Sequence, residues 1–190
     1  SLIRVSGGSA IKIVNKIFHS YNKLSLKKQK SNYAILGQIF DSNEVIDEVV
    51  ITVFKSPKSY NGEDIVEISC HGSNYIQEKI IQILIEHGCR LAQKGELTLR
   101  AFLNGKLDLS QAEAISELIS SENKKAHSLA IKQMKGGITT EIKLLREKFI
   151  KFGALIELEL DFSQEDVEFA DRRQFLILIE ELKNKIQNLL

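Results

Sequence analysis

The sequence has few of the residues that mark extracellular, metal-bound or membrane proteins. It contains two cysteines, one proline and no tryptophan. The cysteines, Cys70 and Cys89, are too few for a disulfide scaffold and lack the spacing of metal ligands. No apolar run reaches the roughly 20 residues that a membrane-spanning helix needs. We therefore expect a protein of the reducing cytoplasm, with no metal site and no membrane partner.

Several catalytic and phosphate-binding motifs are also missing. The chain has no G-x-x-x-x-G-K-[ST] loop, no G-x-S-x-G elbow and no H-E-x-x-H pair. Lys and Arg number 26 against 25 Asp and Glu, a net charge of +1. This balance excludes a basic field over the whole protein, although it allows a local patch. The lysine-rich stretch Lys23–Lys30 is predicted to be a solvated loop.

The first half of the chain alternates strand and helix patterns. Hydrophobic residues make up 43% and charged residues 27%, which is typical of a globular protein. Strands are predicted at 2–5, 33–40, 45–54, 65–70 and 89–92, the second and third forming a hairpin. Helices are predicted from the N-cap Ser9 to Tyr21 and from Asn74 to His87, the latter closed by Gly88.

After Gly95 the pattern becomes helical. Ser110-Gln111-Ala112-Glu113 is predicted to be a capping box, followed by almost uninterrupted helix to Leu160. A break is expected at residues 161–164, before a last helix at 172–190. One apolar stripe steps by three and four residues through Met134, Ile138, Ile142, Leu145, Phe149, Phe152 and Ile156. Because long helices are stabilised mainly by packing, we expect this part to oligomerise or to pack against a further segment.

Three places carry more polar detail than packing requires: residues 61–72, residues 94–109 and Arg4. Glu67 lies inside a strand, where it is either a solvent-facing residue or an acceptor for a ligand with several N–H donors. His71 follows that strand as a turn residue, a base or a ligand. Arg4, in an otherwise apolar strand, is either an edge residue or an anion contact. The stretch Lys94–Leu109 fits a capped helix–turn–helix or a ligand site at a domain junction.

These stretches resemble one protein family closely. The quoted segments are L-I-R-V-S-G at the start, G-E-D-I-V-E-I-S-C-H-G-S from Gly62, G-E-L-T-L-R-A-F-L-N-G-K-L-D-L-S-Q-A-E-A-I from Gly95, and E-L-D-F-S-Q-E-D-V-E-F near the end. In this order they are similar to the MnmE/TrmE family, bacterial GTPases that modify the wobble uridine of transfer RNA. The resemblance covers the whole chain.

The resemblance implies an α+β fold followed by part of an all-α domain. We expect residues 1–104 to form a folate-binding domain like that of aminomethyltransferases, with a mixed or antiparallel sheet, and residues 105–190 to form the first half of the helical domain. In the family a GTPase domain, which uses GTP, Mg²⁺ and K⁺, is inserted after this point. The implied partners are a second copy of the chain (a homodimer), an FAD-dependent tRNA-modification protein and tRNA.

The resemblance also implies a site for 5-formyl- or methylene-tetrahydrofolate. The family's folate contacts correspond to Arg4, Glu67 and Lys106, and no catalytic residue is assigned. Lys94 and Leu97 stand where the family usually has Pro and Phe. A Gly-rich strand and turn precedes the position of Leu2 in the family and lies near the folate pocket, so an incomplete site is expected. The alternatives are a dimerisation and docking module without folate, and a relative of the folate-dependent aminomethyltransferases.

Overall fold

The computed structural model describes residues 1–161 and 172–187, which form two compact units. The first unit covers Ser1–Ala112 and the second Glu113–Leu190. An antiparallel sheet with helices occupies the first unit and helices occupy the second, which confirms the predicted fold class. The domain boundary at residue 104 stays a prediction. Within the described residues, no helix is long and apolar enough to cross a membrane.

The first unit is a five-stranded antiparallel sheet in the order β1-β5-β4-β3-β2. Its elements in chain order are β1 (Leu2–Ser6), α1 (Ala10–Ile17), β2 (Phe18–Ser20), a 3-10 turn (Leu26–Lys28), β3 (Ala34–Asp41), β4 (Glu44–Phe54), β5 (Ile65–Ser69), α2 (Asn74–Glu86) and α3 (Glu96–Leu103). The predicted hairpin is confirmed: β3 and β4 pair from Ala34↔Thr52 to Asp41↔Glu44 around a tight turn.

One face of this sheet is buried and the other is open. Alternation along β5 directs Val66, Ile68 and Cys70 into the core, as predicted from the sequence. Helices α1 and α2 cover that face with Val14, Ile80, Ile83 and other apolar residues. On the opposite face, the large side chains of Leu2, Leu36 and Val50 are exposed. The sheet therefore presents a partly apolar, uncovered surface.

The predicted helix from Ser9 to Tyr21 is too long. It ends at Ile17, because Phe18 takes an extended conformation and residues 18–20 pair with β3 as β2. Gly37 on β3 permits this pairing, since a Cβ there would lie 2.4 Å from the His19 carbonyl oxygen and 2.5 Å from the Phe18 ring. Tertiary pairing thus overrides the helical spacing of the sequence.

The predicted strand at residues 89–92 is also wrong. These residues have no regular secondary structure and do not pair with the sheet. β1 is an edge strand, and residues 89–92 do not pair with its free edge. The segment instead follows Gly88, whose φ of +101° closes α2 as predicted.

The later helices are α4 (Leu109–Ser120), α5 (Lys124–Met134), α6 (Gly137–Asp161) and α7 (Arg172–Gln187). The expected uninterrupted helix is therefore broken twice. Asn123 caps α5 by accepting a hydrogen bond from the Ala126 N–H, and Gly136 adopts φ +76° before α6. The expected break at 161–164 and the terminal Leu189-Leu190 fall outside the described residues, except that Asp161 still belongs to α6.

The capping box lies two residues earlier than predicted. The Gln111 N–H donates to Asp108 Oδ1 at 2.8 Å, and the Asp108 N–H donates to Gln111 Oε1 at 2.9 Å. This reciprocal pair has the geometry of a capping box, with Asp108 rather than Ser110 as the cap. The prediction chose the stronger S-x-x-E pattern at residues 110–113. The helix instead begins two residues earlier, at the weaker D-x-x-Q pattern of residues 108–111.

Candidate functional site

Strands β1 and β5 bring two of the predicted site residues together. Arg4 and Glu67 are direct partners in the antiparallel register. Both side chains point to the open face of the sheet, and Arg4 Nε donates a 2.6 Å hydrogen bond to Glu67 Oε1. The Arg4 side chain is 49% exposed and that of Glu67 is 23% exposed. The result is an ion pair that a ligand can reach from solvent.

Arg4 also lines a cavity of about 550 Å³ within the first unit. Its walls come from β1, the Gly7-Gly8 turn, the last turns of α2, residues 88–92 and the first turn of α3. Apolar side chains, among them Ile3, Ile13, Leu84 and Cys89, line it together with Arg4, Arg90, Glu96 and Arg100. Residues 89–92, predicted as a strand, thus form a wall of this cavity.

A carboxylate between two arginines organises the α3 side of the cavity. Arg90 donates to both oxygens of Glu96, at 2.9 and 2.6 Å, and Arg100 donates to Glu96 Oε1 at 2.6 Å. Arg100 Nε donates to the same oxygen at 3.1 Å, and the Gln93 N–H adds a further hydrogen bond at 2.8 Å. The Arg90 hydrogen bonds, with those from Gln93 and Arg100, hold the pKa of Glu96 well below its ordinary value. Glu96 therefore remains ionised and fixes both guanidinium groups.

A second polar network joins the two sequence motifs. Asn61 is fully buried, and its Nδ2 donates to Ser6 Oγ at 2.8 Å and to Glu63 Oε2 at 3.2 Å. Arg100 donates to the same Glu63 oxygen at 3.0 Å, and Asn104 Nδ2 donates to the Asn61 carbonyl at 2.7 Å. The sequence analysis did not identify these residues individually, although Ser6 lies in β1, the other three lie in the segments quoted from Gly62 and Gly95, and Asn61 directly precedes the first of these segments.

Lys106, the third predicted site residue, lies in a separate cavity of about 490 Å³. Its Nζ donates to the Pro57 carbonyl at 2.9 Å, and its stem packs over Gly62, where a Cβ would lie 3.4 Å from Lys106 Cγ. Gly62 has φ +80°, a conformation that favours glycine. Gly8 lines both cavities. The structure thus pairs Arg4 with Glu67 and places Lys106 beyond the Gly7-Gly8 turn.

His71 has a partner that the sequence spacing did not reveal. Its backbone N–H donates to Asp47 Oδ2 at 2.9 Å, and its Nδ1 lies 2.7 Å from Asp47 Oδ1. Asp47 is buried, whereas the His71 side chain is 73% exposed. The carboxylate fixes the turn after β5 and orients the ring, because β4 carries Asp47 to the end of β5.

The structure shows no metal centre in the part of the chain that it describes. No group of three or more His, Cys, Asp or Glu side chains there could hold a metal ion. Cys70 and Cys89 are both free thiols. Burial raises the pKa of each thiol above its ordinary value, so both are held in the protonated form.

Two family descriptions match the chain. The N-terminal domain of the GTP-binding protein TrmE matches residues 1–106. The MnmE helical domain matches residues 109–190. Together they cover both units of the structure, in the order that the sequence motifs indicate.

Curated relatives agree with these matches. A protein of Flavobacterium johnsoniae is 56% identical over 187 residues, which cover 98% of this chain and 39% of the relative. A Christiangramia forsetii protein is 53% identical, covering 100% of this chain and 40% of the relative. A Porphyromonas gingivalis protein is 47% identical with the same coverages. All three are named tRNA modification GTPase MnmE, and the chain spans about two fifths of their length.

Proposed function

The chain belongs to the family of tRNA modification GTPases known as MnmE or TrmE, and from this membership we propose that it binds a reduced folate at Arg4, Glu67 and Lys106 and forms a homodimer. We propose that it acts in the cytoplasm in modifying carbon 5 of the wobble uridine of tRNA, together with an FAD-dependent partner protein. GTP hydrolysis, with Mg²⁺ and K⁺, is assigned to a GTPase domain outside this sequence. A bound 5-formyl- or methylene-tetrahydrofolate supplies the one-carbon unit.

The Arg4–Glu67 pair is the observation that carries this proposal. A pterin ring presents adjacent N–H donors beside a carbonyl oxygen. An ionised carboxylate accepts from such donors, and a neighbouring guanidinium donates to the carbonyl. Since Arg4 and Glu67 are direct cross-strand partners, their charged groups lie close enough to serve one ring edge. The donor set at this position therefore fits a pterin.

The energetics also favour exchange of the ion pair for ligand contacts. An exposed ion pair is worth about 0–1 kcal/mol. Hydrogen bonds between a ligand and a charged group are worth about 1.5–3 kcal/mol. With Arg4 about half exposed, opening the pair costs less than pterin binding returns. Arg4 then remains beside the ring to donate to its carbonyl.

Lys106 is assigned to the acidic tail of the folate. Its cavity shares Gly8 with the cavity that Arg4 lines, so the two lie next to each other in the same unit. The ammonium group bonds to a neutral carbonyl, that of Pro57, and to no carboxylate within the described residues. A carboxylate of the folate tail would replace the Pro57 carbonyl as the acceptor for the Lys106 ammonium group. A hydrogen bond to a charged acceptor is stronger than one to a neutral carbonyl.

Calorimetric titration of 5-formyltetrahydrofolate into the wild-type chain and Glu67→Ala tests the site. We expect the substitution to weaken binding by about 1.5–3 kcal/mol, the range for hydrogen bonds to a charged group. Its thermal melt should stay close to wild type, because the ion pair is exposed. Glu78→Ala is the matched control, since Glu78 is an exposed carboxylate on α2.

Each outcome of this titration has a definite meaning. Unchanged affinity in Glu67→Ala removes Glu67 from the site. Lost affinity together with a collapsed melt makes Glu67 a structural residue instead. No binding by wild type, repeated with the family's Gly-rich opening segment joined before Leu2, refutes the folate proposal.

A dimerisation module without folate is the second candidate, and the open sheet face favours it. Leu2 and Leu36 are each 49% exposed and Val50 is 38% exposed on that face. A second copy packed there would cover these side chains and bring the two Arg4–Glu67 pairs near the interface. In light scattering at tens of micromolar, Leu36→Glu with Val50→Glu should give monomer, whereas wild type should be a dimer. A monomeric wild type would count heavily against the homodimer.

The helical unit supplies the control for this experiment. Ile142 and Phe149 on α6 are also exposed and could associate nonspecifically. Ile142→Glu with Phe149→Glu should therefore leave the dimer intact. The helices rather than the sheet hold the two copies together if the double substitution on α6 dissociates the dimer and the double substitution on the sheet does not.

We also propose that this chain does not bind GTP, because its sequence has no loop that cradles phosphates. Fluorescence titration with a labelled GTP analogue checks this expectation. Binding at micromolar concentration would refute it.

A further inference from the structure

Positive charge is concentrated at one end of the sequence. The first 40 residues contain seven Lys and Arg residues and no Asp or Glu. All 25 acidic residues, and 19 of the 26 basic ones, follow residue 40. The N-terminal segment is therefore strongly basic, although the net charge of the whole sequence is only +1.

Three segments of the first unit that contact one another carry lysines at the protein surface. We call this the lysine surface and define it by Lys16, Lys27, Lys28, Lys30, Lys55 and Lys58. Lys16 lies on α1, the next three lie in and after the 3-10 turn, and the last two lie in the turn after β4. Five of the six side chains are exposed, and Lys55 is half-buried.

Specific contacts hold these three segments together. Asn15 on α1 accepts from Ser25 Oγ at 2.9 Å and from the Leu26 N–H at 2.8 Å, and Leu26 itself is buried. Lys55 Nζ donates to the Lys27 carbonyl at 3.0 Å, which links the turn after β4 to the 3-10 turn. The predicted loop at residues 23–30 does carry exposed lysines, and these contacts anchor it to α1 and to the turn after β4.

The lysine surface carries uncompensated charge. Among residues 1–161 and 172–187, no ion pair involves any of its six ammonium groups. Other basic residues of the same unit are neutralised: Arg4, Lys79, Arg90 and Arg100 each pair with a carboxylate. A surface of unpaired lysines attracts polyanions, and its field is strongest at low salt.

The chemistry of the surface favours a nucleic-acid backbone over an acidic protein. Lysine is depleted from protein–protein interfaces, whose centres are apolar and aromatic. Phosphate contacts, in contrast, use Lys as a point charge and need no apolar centre. An exposed aromatic ring lies nearby, since Tyr33 is 59% exposed and follows Ser31, whose Oγ accepts from the Lys55 N–H. Exposed aromatic rings next to basic residues are typical of surfaces that bind unpaired bases.

We propose that the lysine surface binds the phosphate backbone of the RNA substrate. This inference rests on the proposed function, which makes tRNA the polyanion that the protein meets. The turn that carries Lys55 and Lys58 also contains Pro57, whose carbonyl accepts from Lys106. An RNA strand on the lysine surface therefore runs beside the Lys106 cavity, next to the candidate folate site.

The test measures binding of a fluorescent, unmodified tRNA transcript to the 190-residue chain at several salt concentrations. The variant combines Lys27→Gln, Lys28→Gln and Lys30→Gln, which leaves the Lys55–Lys27 backbone contact possible. Loss of three phosphate contacts should weaken binding about tenfold or more at low salt and lower the salt slope by up to about three. The affinity for 5-formyltetrahydrofolate and the thermal melt should not change.

A matched variant in the second unit controls for general charge. It combines Lys124→Gln, Lys125→Gln and Lys132→Gln, three exposed lysines on α5. It should bind the tRNA transcript as wild type does. Equal weakening in both variants, or no weakening in either, overturns the proposal. Competition by polyglutamate as effective as by tRNA at equal charge also overturns it, in favour of an acidic protein partner.

The outcomes separate this proposal from the folate proposal. If the chain binds tRNA through the lysine surface and fails to bind folate, the lysine surface stands and the folate site falls. If the chain binds folate through Glu67 and the lysine variant binds tRNA as wild type does, the folate site stands and the lysine surface falls.

Discussion

The two compact units differ in how they bury apolar side chains. The first unit packs a continuous core on one face of its sheet, in which Val14, Ile51 and Ile68 are fully buried. The second unit exposes most of its large apolar side chains that the structure describes, including Ile119 at 81% and Leu176 at 62%. Leu145, at 8% exposed, is the large buried residue among those described there.

This difference shows where the chain stabilises itself. The first unit has its own core and two side-chain networks, so its folding free energy comes from contacts within it. The helices of the second unit carry apolar stripes whose described side chains are mostly exposed. Long helices gain most of their stability when such a stripe is buried against a neighbour. We therefore expect the first unit to be the more stable, and the second to need further contacts, as the apolar stripe in the sequence predicts.

Truncating one isoleucine to alanine in each unit, at a buried and at an exposed position, gives the largest expected contrast. Ile68→Ala, at a fully buried position on β5, should lower the free energy of unfolding by about 2–5 kcal/mol through lost burial and a cavity. Ile142→Ala, at a position on α6 that is 56% exposed, should change it by about 0.5 kcal/mol or less. Urea denaturation followed by circular dichroism measures both values, and similar losses would break the comparison.

The buried polar network of the first unit gives the next largest effect. Asn61→Ala removes the amide donor to Ser6 Oγ and one of three donors to Glu63 Oε2, and it leaves the Glu63 N–H without its acceptor. We expect a loss of about 1–3 kcal/mol, the cost of unsatisfied buried groups. Asn43→Ala, in the exposed hairpin turn, is the control in the same urea experiment. An Asn61→Ala variant as stable as the control would mean that the network does not support the fold.

Acidification should affect the first unit through Glu96. Because the folded pKa of Glu96 is depressed, its ion pairs stabilise the fold above the ordinary value of 4.5, and this contribution is lost as the pH falls from there toward the folded pKa. Glu96→Gln should therefore be less stable at neutral pH and should lose less stability on acidification. Thermal melts from pH 7 to pH 3 measure this, with Glu117→Gln on α4 as control. Parallel pH profiles for wild type and Glu96→Gln would contradict it.

The smallest expected effect is on the rate of thiol alkylation, which reports on the first unit alone. Both cysteines lie in the first unit, and burial raises the pKa of both thiols. At neutral pH we expect slow alkylation by iodoacetamide, slower at Cys70 than at the half-buried Cys89. In a urea series, labelling of Cys70 should begin only when the first unit unfolds. Mass spectrometry of labelled peptides checks this, and rapid labelling of Cys70 without urea would show that the core opens.

Short-range pattern predicted much of the sheet unit correctly. Alternation in residues 65–70 separated the core face of β5 from the face of Glu67, and the β3–β4 hairpin followed from its flanking β-branched residues and polar turn. Motif resemblance selected Arg4, Glu67 and Lys106, whose binding role stays a prediction. These successes share a cause, since each depends on residues that are close together in the chain.

Errors arose where distant residues decide local structure. Phe18–Ser20 forms a strand because β3 offers an edge and Gly37 leaves room for the Phe18 ring. Residues 89–92 match a strand pattern, but in the fold they line the cavity beside β1 and do not join the sheet. The same limit hid the contact of Asp47 with His71, which are 24 positions apart.

The sequence by itself determined the α+β order of elements, the sheet face on which Glu67 lies, and the family. Hydrophobic periodicity, turn residues and short sequence motifs are enough for this, because each depends on residues that are close together in the chain. The tertiary structure alone decided which charged groups meet. Strand register pairs Arg4 with Glu67 across 63 positions, while packing of the loops buries Asn61 beside Ser6 and links Lys55 to the 3-10 turn. Register depends on burying one whole face of the sheet at once, so no single segment of the sequence specifies these contacts.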